Sequence, residues 1–411
     1  MTDLKQIVTE CENCIIFRDI VRSDEVVGKL IETIYSLSGL NNDDDGADCV
    51  SPYRRHVMKN YCGFIDGLYA ETENLTQYVL DRILESDNIY IRRRAAGKPA
   101  GELLEECLAN ELWVLGRLAQ LPCYELLDRM NYDGFLPRYR TEEVDFSMVY
   151  ATRMKQLDKY GYGIYARYNM FSVRDGAIIP VKSPDPVRLT DFSGYERERG
   201  EVIENTLALL KGLPANNVLL YGDCGTGKSS TVKAIANEYA KDGLRLIELK
   251  KKQLHELPEI VTQIADSPLK FIIFIDDLSF TEDDDDFAAL KAILEGSIDS
   301  KADNLCIYAT SNRRHLVRET FSARRGDEVH AKDTMQELYS LADRFGITVT
   351  FVKPDKSLYL QVVTDLAKRS GVDMPEEELL KRAEVFALSR AGRSPRAARQ
   401  FVDSLAIIGN E

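Results

Sequence analysis

The chain has 411 residues, 44% of them hydrophobic and 29% charged; this ordinary globular composition excludes wholesale disorder, a collagen-like repeat and a coiled-coil rod, and the length accommodates roughly two or three domains. Its 53 Lys and Arg against 67 Asp and Glu give a formal net charge of −14, so the whole molecule repels nucleic acid and anionic lipid at long range and any polyanion site must be local. No apolar run approaches the length of a bilayer span, residues 1–10 lack the basic and apolar regions of a leader, and the 8 cysteines are too scattered for a secreted disulfide framework; the expectation is a cytoplasmic protein with reduced thiols and no membrane segment.

Residues 1–161 read as mostly helical, most plainly where Leu104, Cys107, Leu108, Leu112 and Leu115 recur at helical spacing before Pro122. Cys11 and Cys14 form a lone CxxC in a chain with 4 histidines, better explained by packing on one helix face than by zinc. The tyrosines between Tyr132 and Tyr168 are not interleaved with basic clusters, so they read as packing or a protein-facing surface rather than a platform for bases. The stretch 170–174, then Asp175-Gly176, then 177–179 predicts a hairpin, because Asp-Gly supplies the positive φ values of a tight turn. Ser183-Pro184-Asp185-Pro186 continues neither a helix nor a central strand. It puts a boundary near Val187, closing a mainly helical amino-terminal domain (1–187) with the hairpin and the Pro-rich linker at its end.

Beyond the linker, apolar strands alternate with helical patterns, the sequence form of a parallel sheet flanked by helices. The expected strands are 218–221, 244–249, 271–275, 305–309 and 347–351 within an α/β core (188–354), and only helical patterns follow, in a carboxyl-terminal segment (355–411).

Gly222-Asp223-Cys224-Gly225-Thr226-Gly227-Lys228-Ser229 follows the first of these strands and opens a helix at Ser230. Glycines let successive N–H groups turn inward around phosphate oxygens, and the helix start adds its positive dipole end. Lys228 then neutralises the β- and γ-phosphates and Ser229 reaches Mg²⁺. Within the loop Cys224 lies where N–H dipoles and Lys228 favour a thiolate, although a tolerated small side chain explains it as well. The apolar strand 271–275 ends in Asp276-Asp277. Such a pair can simply close a strand at a turn; beside a phosphate loop it reads as Walker B, with Asp276 holding Mg²⁺ through water and Asp277 polarising the attacking water as a general base.

These motifs, with Asn312 after the fourth strand, Arg344 before the fifth and Arg396 in the terminal helices, resemble an AAA+ ATPase over about residues 188–411. More narrowly, Gly194-Tyr195-Glu196-Arg197-Glu198, Ile275-Asp276-Asp277-Leu278-Ser279-Phe280, Ala309-Thr310-Ser311-Asn312-Arg313-Arg314-His315 and Gly392-Arg393-Ser394-Pro395-Arg396 resemble the bacterial family called domain of unknown function 815. The resemblance implies an AAA+ P-loop module with a carboxyl-terminal helical lid, binding ATP with Mg²⁺ and working as a homo-oligomer on a protein client. It implies that Asn312 is the sensor 1 residue positioning water, although an Asn after a strand also simply forms turns. It makes Arg344 an arginine finger completing a neighbour's site; a cation in a last helical turn before Gly is equally an ordinary cap. Arg396 becomes the sensor 2 arginine on the γ-phosphate. The alternative is a solvated basic face of Arg393, Arg396 and Arg399. Leu189 and Tyr195 become walls of an adenine pocket, or ordinary core.

Two departures from the broad pattern bear on activity. The second Walker B acid is Asp277 where most such enzymes carry Glu, and the shorter reach implies slow hydrolysis. Between the second strand and Phe271 only Leu249-Lys250-Lys251-Lys252-Gln253 stands where an aromatic-hydrophobic-Gly pore loop would lie, which disfavours an unfoldase. An ATP-gated scaffold with little hydrolysis, a loader of nucleic-acid complexes (not supported by the charge) and a monomeric P-loop kinase are the competing readings. A GTPase is disfavoured for want of an Asn-Lys-x-Asp signature.

Overall fold

The computed structural model describes residues 3–38, 52–278, 290, 294, 303–312, 344–390 and 392–408. The acidic runs at 43–45 and 282–286, Cys49, and the family-like residues at 279–280 and 313–315 lie outside them. The chain divides into two compact units, Met1–Arg167 and Tyr168–Glu411.

The first unit is built of helices around one apolar cluster that includes Phe17, Phe64, Leu112, Leu115 and Tyr150. Helix Glu102–Ala119 has acidic residues in its first turn and Arg117 in its last, which complements its dipole, and it buries Leu108, Leu112 and Leu115. Glu111, only 3% exposed, lies on the same helix. Its carboxylate accepts the backbone N–H groups of Ile15, Ile16 and Phe17 at 2.8–3.1 Å, just before helix Arg18–Ser23. Donors that the short helix start cannot satisfy internally are thereby paired. Cys11 and Cys14 are buried in this cluster, and burial pushes the Cys11 thiol up to about 12.

The second unit carries a seven-stranded sheet made of β1 (Met170–Arg174), β2 (Ala177–Pro180), β3 (Val218–Gly222), β4 (Leu244–Leu249), β5 (Lys270–Ile275), β6 (Leu305–Asn312) and β7 (Ile347–Phe351), in the order β2-β1-β4-β5-β6-β3-β7. Among the described residues, only the β1–β2 pair is antiparallel. β3 and β5 are near-continuous apolar runs, as strands covered on both faces require. Because β3 sits between β6 and β7 while the chain next continues to β4, the sheet reverses its winding beside β3. The crevice beyond the carboxyl ends of the strands at such a point is where open α/β sheets bind ligands.

The hairpin falls on the other side of the boundary from the one its sequence predicts. Asp175 and Gly176 do adopt φ of 51° and 74°, the values a type I′ turn needs. β1, however, pairs in parallel with β4, and the tip is held where Glu256 accepts the Gly176 N–H at 2.8 Å and Gln263 donates to the Gly176 carbonyl at 2.7 Å. The break therefore lies between Arg167 and Tyr168, not near Val187. The Pro-rich stretch is an ordered strap: the Asn237 amide donates to the carbonyls of Asp185 and Val187 at 2.9 and 2.8 Å.

Helices Lys356–Arg369, Glu376–Ser389 and Pro395–Ile408 pack round their own cluster of Tyr359, Val363, Ala383, Phe401 and Val402. Asp355 caps the first of them, accepting the Leu358 N–H at 2.8 Å. Glu384 joins the three, ion-paired to Lys356 at 3.2 Å and to Arg393 at 3.1 Å.

Candidate functional site

β3 ends at Gly222, whose φ is 138°. A Cβ there would sit 2.0 Å from the Phe351 carbonyl oxygen of β7, so only glycine fits. The chain then turns sharply. Asp223 donates its N–H to Phe351 O at 3.0 Å and accepts the Lys353 N–H on its carboxylate at 3.0 Å. Thr226 closes the loop through its hydroxyl on the Asp223 carbonyl at 2.9 Å, and Gly225 and Gly227 take φ of 77° and 95°. Helix Lys228–Glu238 starts immediately afterwards, with its N-terminal dipole end toward the loop.

Lys228, 6% exposed, donates to Gly222 O at 3.1 Å, Asp223 O at 2.7 Å and Asn312 Oδ1 at 3.2 Å. Burial pulls its pKa below the usual lysine value, opposed by the nearby carboxylates of Asp223, Asp276 and Asp277. Next to it the Ser229 hydroxyl donates to Asp276 Oδ1 at 2.6 Å. This pair brings two hard oxygen atoms together at the loop, the donor chemistry that suits Mg²⁺. The serine hydroxyl directs its single proton to the carboxylate, which leaves its lone pairs available to a cation.

Asp277 takes the left-handed conformation, φ 54°, which is uncommon for a residue with a side chain. The Asn312 amide donates to its Oδ1 at 2.8 Å, so Asn312 links Lys228 to Asp277 through its two ends. Thr310, two residues earlier on β6, donates to Asp276 Oδ1 at 2.5 Å and accepts the Asp277 N–H at 2.9 Å.

These groups floor a cleft of about 460 Å³, lined by Cys224 to Ser230, Asp276, Asp277, Thr310 and Asn312. The strap supplies Val187 and the segment after it Phe192 and Tyr195 to one wall, and the terminal helices supply another with Val362, Leu366, Arg396 and Arg399. Tyr195 is held by its hydroxyl on the Val352 carbonyl at 2.6 Å and by its ring 5.5 Å from that of Phe351, and burial pushes the phenol up to about 12. Ser394 caps the last helix, accepting the Ala397 N–H at 3.1 Å, and the Arg396 N–H donates to the Gly225 carbonyl at 3.2 Å. This places Arg396 directly on the phosphate loop. Arg393 turns the other way, to Glu384.

Four expected site residues do not line the cleft. Gly222 and Asp223 adjoin it through their carbonyls, which accept from Lys228. Leu189 packs against the apolar cluster under the sheet and is not among the cleft's lining residues. Arg344, just before β7, is not among them either. Conversely, sequence reasoning missed Phe192, Arg199, Val362, Leu366 and Thr310. Arg199 is 7% exposed, lies 5.2 Å from the Phe192 ring centre, and has its pKa pulled down by burial. Thr310 had a signal: it shares a strand face with Asn312 by the two-residue period.

Residues 165–408 match the family described as "Protein of unknown function (DUF815)". The chain belongs to that family. Its mostly parallel sheet with flanking helices, in which β3 lies between β6 and β7, is that of an α/β P-loop module. The 26S proteasome regulatory subunit 6B homolog of Schizosaccharomyces pombe is 36% identical over 113 residues, 24% of this chain and 29% of that protein. The 26S proteasome regulatory subunit 4 homolog of Dictyostelium discoideum is 39% identical over 70 residues, 16% of each. The matched stretch thus spans less than a third of the length of these curated relatives. Among solved structures, the RuvB Holliday junction branch migration motor of Thermotoga maritima has a TM-score of 0.38 at 18% identity, covering 55% of this chain and 67% of its own. The FIGL-1 AAA domain in complex with ADP has a TM-score of 0.37 at 17% identity, covering 55% and 74%. Among the described residues no helix is long and apolar enough to cross a membrane.

Proposed function

We propose that this DUF815 member binds ATP with Mg²⁺ in the cleft and hydrolyses it, using the cycle to change conformation within a homo-oligomer that acts on a protein client. The observation that carries this reading is the meeting of Lys228, the Ser229–Asp276 pair and the Asn312–Asp277 pair at the carboxyl ends of β3, β5 and β6. Lys228 exchanges its loop carbonyls for phosphate oxygens, and the loop N–H groups with the helix start bind the remaining negative charge. Ser229 and Asp276 hold Mg²⁺, which when bound neutralises phosphate charge. Asp277 orients the attacking water and takes its proton, with Asn312 fixing the direction of the carboxylate. Val187, Phe192, Tyr195, Val362 and Leu366 form the apolar walls for adenine. Arg396 reaches the phosphates from the lid (355–411), and Arg344 acts on a neighbouring subunit's site. The amino-terminal unit holds the client.

A slower, ATP-gated scaffold is the second reading. It is favoured by Asp277, a methylene shorter than Glu and already engaged by Asn312. Calorimetric titration of Mg·ATP into the full chain, beside phosphate release, decides between them. Uptake with turnover is expected for wild type, and neither for Lys228→Ala. Uptake without turnover selects the scaffold, and no uptake by folded wild type overturns both.

A further inference from the structure

We propose that Thr310 is a positioning residue that sets both Walker B carboxylates, Asp276 for the metal and Asp277 for water; the inference rests on the nucleotide reading above. Backbone pairing between β5 and β6 runs to Ile275↔Ala309. From there Thr310 grips the departing chain. Its carbonyl accepts the Leu278 N–H at 2.7 Å, its hydroxyl oxygen accepts the Asp277 N–H at 2.9 Å, and its hydroxyl proton goes to Asp276 Oδ1 at 2.5 Å. Three successive residues thus hang from one strand position that is 2% exposed and lines the cleft.

The geometry asks for such a clamp. A residue with a side chain resists the left-handed conformation of Asp277, and a local hydrogen bond to its N–H holds it there. A hydroxyl has a single proton. With the oxygen accepting from Asp277, that proton is committed to Asp276, so one atom sets the direction of one carboxylate and the backbone of the other. Ser229 donates to the same Asp276 oxygen, but in the proposed site it also ligates the metal, whereas Thr310 has no second duty. Asn312, on the same strand face, fixes the other end of Asp277 through its carboxylate. Thr310 touches no reacting atom; it acts through the two acids.

The test compares Thr310→Val, which keeps the branched shape and removes the hydroxyl, with Thr310→Ser, which keeps the hydroxyl. The measurements on the full chain are ATP affinity in chelator, the gain in affinity on adding Mg²⁺, kcat and KM, and thermal melting. For Thr310→Val the expected result is ATP affinity in chelator within about twofold of wild type, a Mg²⁺ gain reduced about fivefold or more, and kcat reduced about tenfold or more at nearly constant KM. Thr310→Ser is expected to restore the Mg²⁺ gain and kcat. If Thr310→Val does not fold, Thr310→Ala against Thr310→Ser isolates the same hydroxyl, and equal behaviour of that pair overturns the proposal. A Thr310→Val chain with wild-type Mg²⁺ gain and kcat overturns it as well, while leaving nucleotide use intact. A folded wild type that takes up no ATP overturns the proposal together with the reading beneath it.

Discussion

Replacing Gly222 by alanine tests whether the junction of β3 with the phosphate loop depends on a missing side chain. The new Cβ would lie 2.0 Å from the Phe351 carbonyl oxygen, where contacts under 3.0 Å essentially never occur, so β3 and β7 must part by about 1 Å or Gly222 must leave its φ of 138°. Backbone strain at such a position costs about 1–3 kcal/mol. Parting the strands also removes the Asp223 N–H bond to Phe351, leaving a half-buried donor unpaired at a cost of about 1–3 kcal/mol. Together the expected loss is about 2–6 kcal/mol. For a unit of this size that lowers the melting temperature by roughly 10 °C. Hydrogen exchange by mass spectrometry should show faster exchange at Val218–Gly222 and Ile347–Phe351 and no change in helices of the amino-terminal unit, with weaker ATP uptake. A variant that melts within about 2 °C of wild type, with unaltered exchange and uptake, would refute the reasoning.

Arg344→Ala is expected to keep ATP uptake and lose turnover, read by calorimetry and phosphate release; normal turnover removes the proposed action across a subunit boundary. Glu111→Ala should destabilise the amino-terminal unit by about 3 kcal/mol in urea unfolding, since three backbone donors lose a charged acceptor; a loss under about 1 kcal/mol would show that water replaces it readily. The N–H of Leu358 and the Ser357 hydroxyl lower the Asp355 pKa, and Arg393, then Lys356, lower that of Glu384. Depressed folded values mean that both contributions are complete above the ordinary carboxylate value near pH 4 and vanish as pH falls through the folded pKa. Thermal melting of wild type should therefore fall more steeply below about pH 4 than that of the Asp355→Asn/Glu384→Gln double variant, and equal slopes would discount the pair.

The core strands were legible because each is an apolar run bounded by turn residues. The 244–249 and 347–351 segments match β4 and β7 in both bounds, and β6 runs on to Asn312 through Thr310 and Ser311, polar residues whose hydroxyls are bonded to Asp276 and Leu278. The phosphate loop was legible because its glycines answer a local backbone demand. Membership of β1 in the main sheet was not, since parallel pairing with β4 joins segments far apart in the chain and leaves no local mark. The cleft's apolar walls were hidden for the same reason. Phe192 and Leu366 meet only after the terminal helices fold back, and each alone looks like ordinary core.

The bond from the Arg396 amide to the Gly225 carbonyl ties the last helix to the turn that would cradle phosphate. A rotation of that helix about its first turn must either drag the Gly225 peptide plane with it or strip that carbonyl of its donor. Were the loop to tighten on a ligand, the pull would reach the first turn of that helix, and its far end, toward Ile408, would sweep the larger arc.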